Sequence, residues 1–298
     1  MREVVVISGK GGTGKTSLVA SFAALAGRSV LADCDVDAAD LHLVLKPRVL
    51  KEELFSGGKT ASIRQEACSG CGRCAELCRF GAVSGARSGE KTVFAIDPIA
   101  CEGCGVCSYF CPEKAVDFLP SVNGRWFISE TAYGPMVHAR LGIAEENSGK
   151  LVTTVRSRAR EIAENEGVSW LIVDGPPGLG CPVIASLTGA DCAVIVAEPT
   201  VAGQHDFERV AELTKFFDLK TFLCVNKCDL NEAVGAEIKG KARELGIAFL
   251  GGVRYDDAVS EAQIMGVPVV TQKNSPAAQD IERVWGNLIM SLKNSTEN

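Results

Sequence analysis

Short runs of Val, Ile, Leu and Ala recur along the chain, and most end in glycine or a carboxylate. "EVVVIS" (Glu3–Ser8), "SVLADCD" (Ser29–Asp35), "WLIVDGPPG" (Trp170–Gly178), "CAVIVAEPT" (Cys192–Thr200), "TFLCVNKCD" (Thr221–Asp229) and "IAFLGGV" (Ile247–Val253) show no regular polar alternation. Such runs mark strands buried on both faces. Between them the spacing turns helical, in "KTSLVASFAALAG" (Lys15–Gly27), "AGQHDFERVAELTKFF" (Ala202–Phe217), "NEAVGAEIKGKAREL" (Asn231–Leu245) and "SPAAQDIERVWGNLIMSLK" (Ser275–Lys293). Gly27 stands where a helix stop belongs. Apolar strands alternating with helices predict an α/β fold, a parallel sheet with helices on both faces. "YGPMVHARLGIAEENSGKLV" (Tyr133–Val152) breaks the alternation, and its Gly, Asn and Ser content predicts an ordered loop before a helix, with His138 at a surface or interface. The tail "NSTEN" (Asn294–Asn298) is expected to fray.

From about Lys59 the composition changes to cysteine, glycine and arginine, and it returns to α/β character near Trp126. The predicted organisation is therefore a first part of the main domain at 1–58, an insert at 59–125 and a second part at 126–298. The insert contains a repeat: "ACSGCGRCAELCRFGAV" and "ACEGCGVCSYFCPEKAV" match at an offset of 33 residues. Cys68, Cys71, Cys74 and Cys78 have C-x2-C-x2-C-x3-C spacing, as do Cys101, Cys104, Cys107 and Cys111. Close spacing wraps one loop around three irons of a cubane while the fourth thiolate comes from the other repeat. Two 4Fe–4S clusters are thus expected, one on Cys68, Cys71, Cys74 and Cys111, the other on Cys101, Cys104, Cys107 and Cys78. A zinc site would need paired cysteines around one ion and explains triplets poorly. Pro112 follows Cys111, whereas Arg79 follows Cys78, a departure that leaves the ligand count intact but alters that cluster's surroundings.

Composition narrows the classes. At 298 residues, 46% of them hydrophobic, the chain can hold one large domain and a small one. A net charge of -6 gives no basic surface for nucleic acid. No apolar run reaches membrane-spanning length and the N-terminus has no signal-peptide layout, so a cytoplasmic protein is expected. Of 13 cysteines, eight carry ligand spacing, which fits a reducing compartment. Cys192 and Cys224 read as packing residues in strands, and Cys34 and Cys228 as variable positions.

"SGKGGTGKTS" (Ser8–Ser17) satisfies G-x-x-x-x-G-K-S/T after a strand and at the opening of a helix. Backbone N–H groups of Gly9, Lys10, Gly11, Gly12, Thr13 and Gly14 would surround phosphates, with Lys15 on the β/γ-phosphates, the Thr16 hydroxyl on magnesium and Ser17 closing the site. Lys10 adds a second, early lysine, and "KGGTGKT" resembles the deviant Walker A family of P-loop ATPases, which includes the MinD and ParA partition ATPases, Mrp-type cluster carriers and the nitrogenase iron protein. The resemblance implies that Lys10 reaches the nucleotide of a facing subunit. It implies a homodimer, or a dimer with a similar ATPase, in the ATP state.

The likeness extends to "DCDVDAADLHL", where Asp35 matches the switch carboxylate that positions magnesium's water and the attacking water. It extends also to "VDGPPG", where Asp174 takes a Walker B role towards magnesium, with Gly175 and Gly178 free to move. Asp37 and Asp40 read as polar loop residues beside Asp35. Asn226 stands where this family places an adenine-touching Asn, yet "NKCD" (Asn226–Asp229) is also the guanine-reading sequence of GTPases, with Asp229 accepting from guanine. ATP is the reading the rest of the pattern favours. Cys181, seven residues after Asp174, occupies a place comparable to a cluster-ligating cysteine of the nitrogenase iron protein, but that cysteine's upstream partner has no match. The late C-x-x-C of Mrp-type carriers is also missing.

Taken along nearly its full length, the chain resembles MinD-superfamily P-loop ATPases containing an inserted two-cluster ferredoxin domain of α+β type. The resemblance implies an ATPase that couples nucleotide state to electron transfer or to metal-cofactor assembly, with an unidentified redox or cofactor-assembly protein as partner. The alternative is a nucleotide-dependent binding module whose clusters are structural or redox-sensing.

Overall fold

The computed structural model describes residues 1–89, 91–142 and 148–294. In chain order the first elements are β1 (Arg2–Ser8), α1 (Lys15–Ala26), β2 (Val30–Asp33), α2 (Leu41–Leu45) and β3 (Arg48–Phe55). There follow β4 (Gly58–Ile63), α3 (Arg73–Leu77), β5 (Val83–Ser88), β6 (Lys91–Ile96), α4 (Val106–Tyr109) and β7 (Val116–Ser121). Next come β8 (Gly124–Thr131), β9 (Gly134–Leu141), α5 (Ser148–Glu166), β10 (Trp170–Pro177), α6 (Cys181–Leu187) and β11 (Cys192–Ala197). The chain closes with α7 (Val201–Phe216), β12 (Lys220–Asn226), α8 (Glu232–Glu244), β13 (Ala248–Val253), α9 (Ala258–Met265), a short 3-10 turn and α10 (Pro276–Lys293). These elements fall into two compact units: 1–53 with 126–140 and 148–298, and 54–125 with 141–147. The segment 143–147 and the expected frayed tail beyond Asn294 lie outside the described residues.

The larger unit is built on a nine-stranded sheet in the order β13-β12-β11-β1-β10-β2-β9-β8-β3. From β13 to β9 every neighbouring pair is parallel, as continuous apolar runs require. Alternation along the strands sorts the two faces. Val4, Val6, Leu31, Ile172 and Val194 share one core with α1 and α10, where Phe22 lies 4.8 Å from Trp285. Val5, Ile7, Leu171, Val173 and Ile195 are equally buried on the other face, against which α5 and α7 pack. There the buried Glu3 is neutralised by Arg156, whose Nε donates at 2.6 Å, and by Arg160.

At the far edge the structure departs from expectation. His138 lies in β9, not in a loop, and is buried. Thr131 and Gly134 flank a tight turn that makes β8 and β9 a hairpin. The polar positions are satisfied internally, since Ser129 Oγ lies 2.8 Å from His138 Nε2 and the rings of Phe127 and His42 stack on His138. Burial, with His42 adding to it, lowers His138 to about 4, so it is neutral in this strand.

The smaller unit has two short ribbons. Antiparallel β4–β7 pairs Gly58 with Ser121 through Ile63 with Val116, and antiparallel β5–β6 pairs Val83 with Ile96 through Ser88 with Lys91. Each cysteine loop packs on the strand that leads into the other repeat. A Cβ on Gly70 would lie 2.8 Å from the Thr92 carbonyl, and one on Gly103 would lie 2.3 Å from the Lys59 carbonyl. Both glycines have positive φ, 74° and 61°, so neither position accepts a side chain on conformational or steric grounds.

Candidate functional site

In a parallel sheet, ligands collect at the carboxyl ends of the strands where the chain order reverses. Here that point is β1, which has β10 on one side and β11 on the other. Beyond Ser8, Gly9–Gly14 lead into α1, which starts at Lys15. Gly14 caps the helix in the left-handed region at φ 87° and no side chain accepts from the first turn. The open N–H groups and positive end of the helix form an anion site. Lys15 is buried under the loop, and Ser17 Oγ accepts from Gln263 Nε2 at 2.9 Å.

The loop is held from both sides. Asn226, last residue of β12, donates from Nδ2 to the Thr13 carbonyl at 2.8 Å, and a Cβ on Gly14 would lie 2.3 Å from that nitrogen. A Cβ on Gly9 would lie 2.3 Å from Asp206 Cβ on α7. Asn226 therefore braces the loop, while Asp229 is turned elsewhere and accepts from the Tyr255 backbone at 2.8 Å.

Beside Lys15 and Thr16 stand three carboxylates. Asp33 and Asp174 are register neighbours on β2 and β10, and both are fully buried. Asp33 accepts from the backbone N–H of Asp35 at 3.2 Å and of Leu41 at 3.3 Å, which shapes the loop that presents Asp35. Burial raises Asp33 well above the carboxylate range, and the nearby Asp174 and Asp35 add to it. Burial also pushes Asp174 up to about 7, against the pull of Lys15 and the Thr16 hydroxyl. Although Thr16 is near, neither Asp174 oxygen has a hydrogen-bond partner. A buried carboxylate with two unpartnered oxygens next to a phosphate loop fits a divalent cation, the charge that would restore it. Half-buried Asp35 is raised by burial and lowered by Lys15; Asp37 and Asp40 are exposed.

Lys10 does not point into its own loop. Its Nζ lies 3.0 Å from Glu198 Oε2, and Lys227 Nζ donates to Glu198 Oε1 at 2.5 Å. Sequence reading missed Glu198, Lys227 as a loop contact, Asp206 and the role of Asp33. The available signal was the carboxylate in "AEPT" just after the strand that neighbours β1.

In the smaller unit the cysteines divide between two cavities. Cys68, Cys71, Cys74 and Cys111 line one, and Cys78, Cys101, Cys104 and Cys107 line the other. No disulfide joins any of them. Burial raises Cys74 and Cys107, and in each the two preceding loop cysteines contribute further. Ala115 N–H donates to Cys111 Sγ at 3.3 Å. Among the described residues, no three or more His, Cys, Asp or Glu converge as ligands of a single ion. A structural zinc gathers its thiolates on one ion, whereas a cubane takes four thiolates drawn from both repeats, three and one. The donor set and its cavities fit the larger group. Cys181 is exposed at the start of α6, close to Gly149 of α5, and belongs to neither set.

A family model described as the CobQ/CobB/MinD/ParA nucleotide binding domain matches residues 4–269. An uncharacterized protein of Methanocaldococcus jannaschii is 33% identical over 235 residues, 77% of this chain and 79% of its own. The iron-sulfur cluster carrier protein of Pyrococcus horikoshii is 26% identical over 159 residues, 49% of this chain and 53% of its own. Among solved structures, the MinD cell division protein of Aquifex aeolicus aligns with a TM-score of 0.57 at 19% identity, over 97% of each chain. Pyrococcus furiosus cell division ATPase MinD gives 0.56 at 17%, over 97% and 98%. At such identities the likeness is one of fold. Among the described residues no helix is long and apolar enough to cross a membrane.

Proposed function

Because the chain belongs to the CobQ/CobB/MinD/ParA family of nucleotide-binding domains, we propose that it is an ATPase carrying two 4Fe–4S clusters. Its nucleotide state is coupled to electron transfer or to metal-cofactor assembly with a separate protein partner. The observation that carries this reading is the division of eight cysteines, three from one repeat and one from the other, between two cavities. A nucleotide switch alone has no use for that arrangement. The weak likeness to iron-sulfur cluster carrier proteins is compatible with it.

In the proposed reaction the N–H groups of the loop and the start of α1 hold the β/γ-phosphates, and Lys15 neutralises charge there. Thr16 and Asp174 would hold magnesium, which would supply charge neutralisation at the phosphate oxygens. Asp35 sits within electrostatic reach of Lys15 and orients the attacking water. Asn226 braces the loop through the Thr13 carbonyl, and its side-chain oxygen would accept from the base. Lys10 serves the nucleotide of a second copy in a dimer. When bound, the clusters would supply one-electron chemistry, held by the four thiolates of each cavity.

The test is an anaerobic potentiometric titration followed by EPR, with ADP, with a non-hydrolysable ATP analogue and with neither. A cluster potential that moves between ADP and analogue is expected. Coincident potentials in all three, with clusters present, refute the coupling.

A further inference from the structure

Glu198 lies one residue beyond β11, at the sheet edge that carries the phosphate loop. Its side chain is 11% exposed and is divided between two lysines, Lys10 at 37% and Lys227 at 31%. Each carboxylate oxygen has its own ammonium, at 3.0 Å for Lys10 and 2.5 Å for Lys227. Burial would raise this carboxyl, but its bonds to Lys227 and Lys10 outweigh burial and hold it below its ordinary value.

We propose that Glu198 is a positioning residue that keeps Lys10 within its own subunit until a second nucleotide-loaded copy offers a phosphate, so that transfer of the lysine from carboxylate to phosphate sets the threshold for dimerisation. The inference rests on the reading that Lys10 acts across a dimer. Lys10 Nζ, 3.0 Å from Glu198 Oε2, must leave that oxygen to reach a phosphate on another copy, so Glu198 and the partner's phosphate compete for it. Departure of Lys10 does not strand a buried charge, since Lys227 remains on the other oxygen; an unpaired buried carboxylate would make the transfer prohibitive. Lys227 is itself tied to the loop, 3.4 Å from the Gly12 carbonyl. The backbone at Lys10 is fixed as well. Ser8 Oγ donates to the Lys10 carbonyl at 2.7 Å, and Gly9 is pressed against Asp206. The motion required is therefore a swing of one side chain rather than a rearranged loop.

A competing internal contact lowers apparent affinity by the fraction of molecules in which the needed group is free, and a symmetric dimer incurs that loss in both copies. Removing the charge at Glu198 should therefore lower the concentration for half-dimerisation by roughly ten- to a hundredfold. The experiment is sedimentation velocity on the full cluster-loaded chain with a magnesium-bound non-hydrolysable ATP analogue. Wild type, Glu198→Gln, Lys10→Ala and the double variant are compared, with ADP affinity measured in each. The expected result is tighter dimerisation of Glu198→Gln, unchanged ADP affinity, and no effect of Glu198→Gln in the Lys10→Ala background. Equal or weaker dimerisation with intact ADP binding overturns the proposal, and so does an effect that survives in the Lys10→Ala background. Lys10→Ala dimerising like wild type would instead overturn the cross-dimer reading on which it rests. If Glu198→Gln fails to fold, Glu198→Asp, which retracts the carboxylate by one methylene, must shift dimerisation in the same direction. No shift there overturns the proposal equally.

Discussion

Asp174 is a carboxylate placed where water cannot reach it, with neither oxygen bonded. Its ordinary value of 3.8 rises to about 7, so in the nucleotide-free protein it binds a proton more tightly than in the unfolded chain. Stability from this group is fully present below the unfolded value and is lost as pH climbs through the folded one. Asp174→Asn should thus stabilise the nucleotide-free protein at pH 8 by about 1 kcal/mol, or roughly 2–4 °C. The gain should be smaller at pH 5, which lies between the unfolded and folded values, and the variant should lose magnesium-dependent tightening of nucleotide. Thermal unfolding at the two pH values checks this; an equal or lower melting temperature at pH 8 counts against it. Lys15→Ala is expected to remove hydrolysis by at least about 100-fold, from the lost charge neutralisation, while leaving the visible absorption of the clusters intact, because the phosphate loop and the cysteines belong to different units. A joint loss of both signals would contradict that separation. Lys15, Thr16, Asp35 and Asp174 could be named as candidates from sequence because each sits in a local motif. Glu198 could not, because its two partners stand 188 residues before it and 29 after it, and only the sheet order brings the three together.

At the scale of elements, α1 is a helix whose first turn is left open for an anion, and the site depends on Gly14. That residue has φ 87° and faces Asn226 Nδ2 at a distance no Cβ tolerates. Gly14→Ala should cost about 1–2 kcal/mol in backbone strain alone and should eliminate nucleotide binding, measured calorimetrically, with far-UV circular dichroism unchanged. Undiminished affinity would show that the brace is dispensable. The two cysteine repeats give a second expectation. In a chain whose Cys68, Cys71 and Cys74 are replaced by alanine, Cys111→Ser should leave the remaining EPR signal unchanged, whereas Cys78→Ser should alter it. The reverse pattern would exchange the fourth ligands. Sequence periodicity found β1, β2 and β10–β13 within a few residues, since strands buried on both faces are apolar throughout. It missed β8 and β9 because their polar residues are satisfied by one another across a hairpin, as in Ser129 and His138. β3 was missed because "RVLKEELF" is a charged edge strand, exposed for most of its length.

For the whole molecule, two cubanes imply about eight iron and about eight acid-labile sulfide per chain after anaerobic purification. Roughly one zinc with no sulfide would remove the cluster assignment. If the units communicate, the coupling acts equally in both directions. Analogue binding that is about tenfold tighter to the oxidised protein would lower a one-electron midpoint by roughly 59 mV, and reduction must then weaken the analogue by the same factor. Calorimetry on oxidised and reduced protein, set beside the titration, tests the equality. The α/β architecture and the paired cysteine cavities could both be read from one sequence because each has a period of its own.

The sheet order also bears on how the protein is made. β1 leaves the ribosome long before its neighbours β10 and β11, which begin at Trp170 and Cys192. Both cysteine cavities have all their thiols once Cys111 has emerged. A nascent chain halted between Arg125 and Trp170 thus carries all eight repeat cysteines while β1 still has no strand partner. On the proposed reading, iron and sulfur donors would meet both complete thiol sets before the nucleotide switch exists, and loading would precede control.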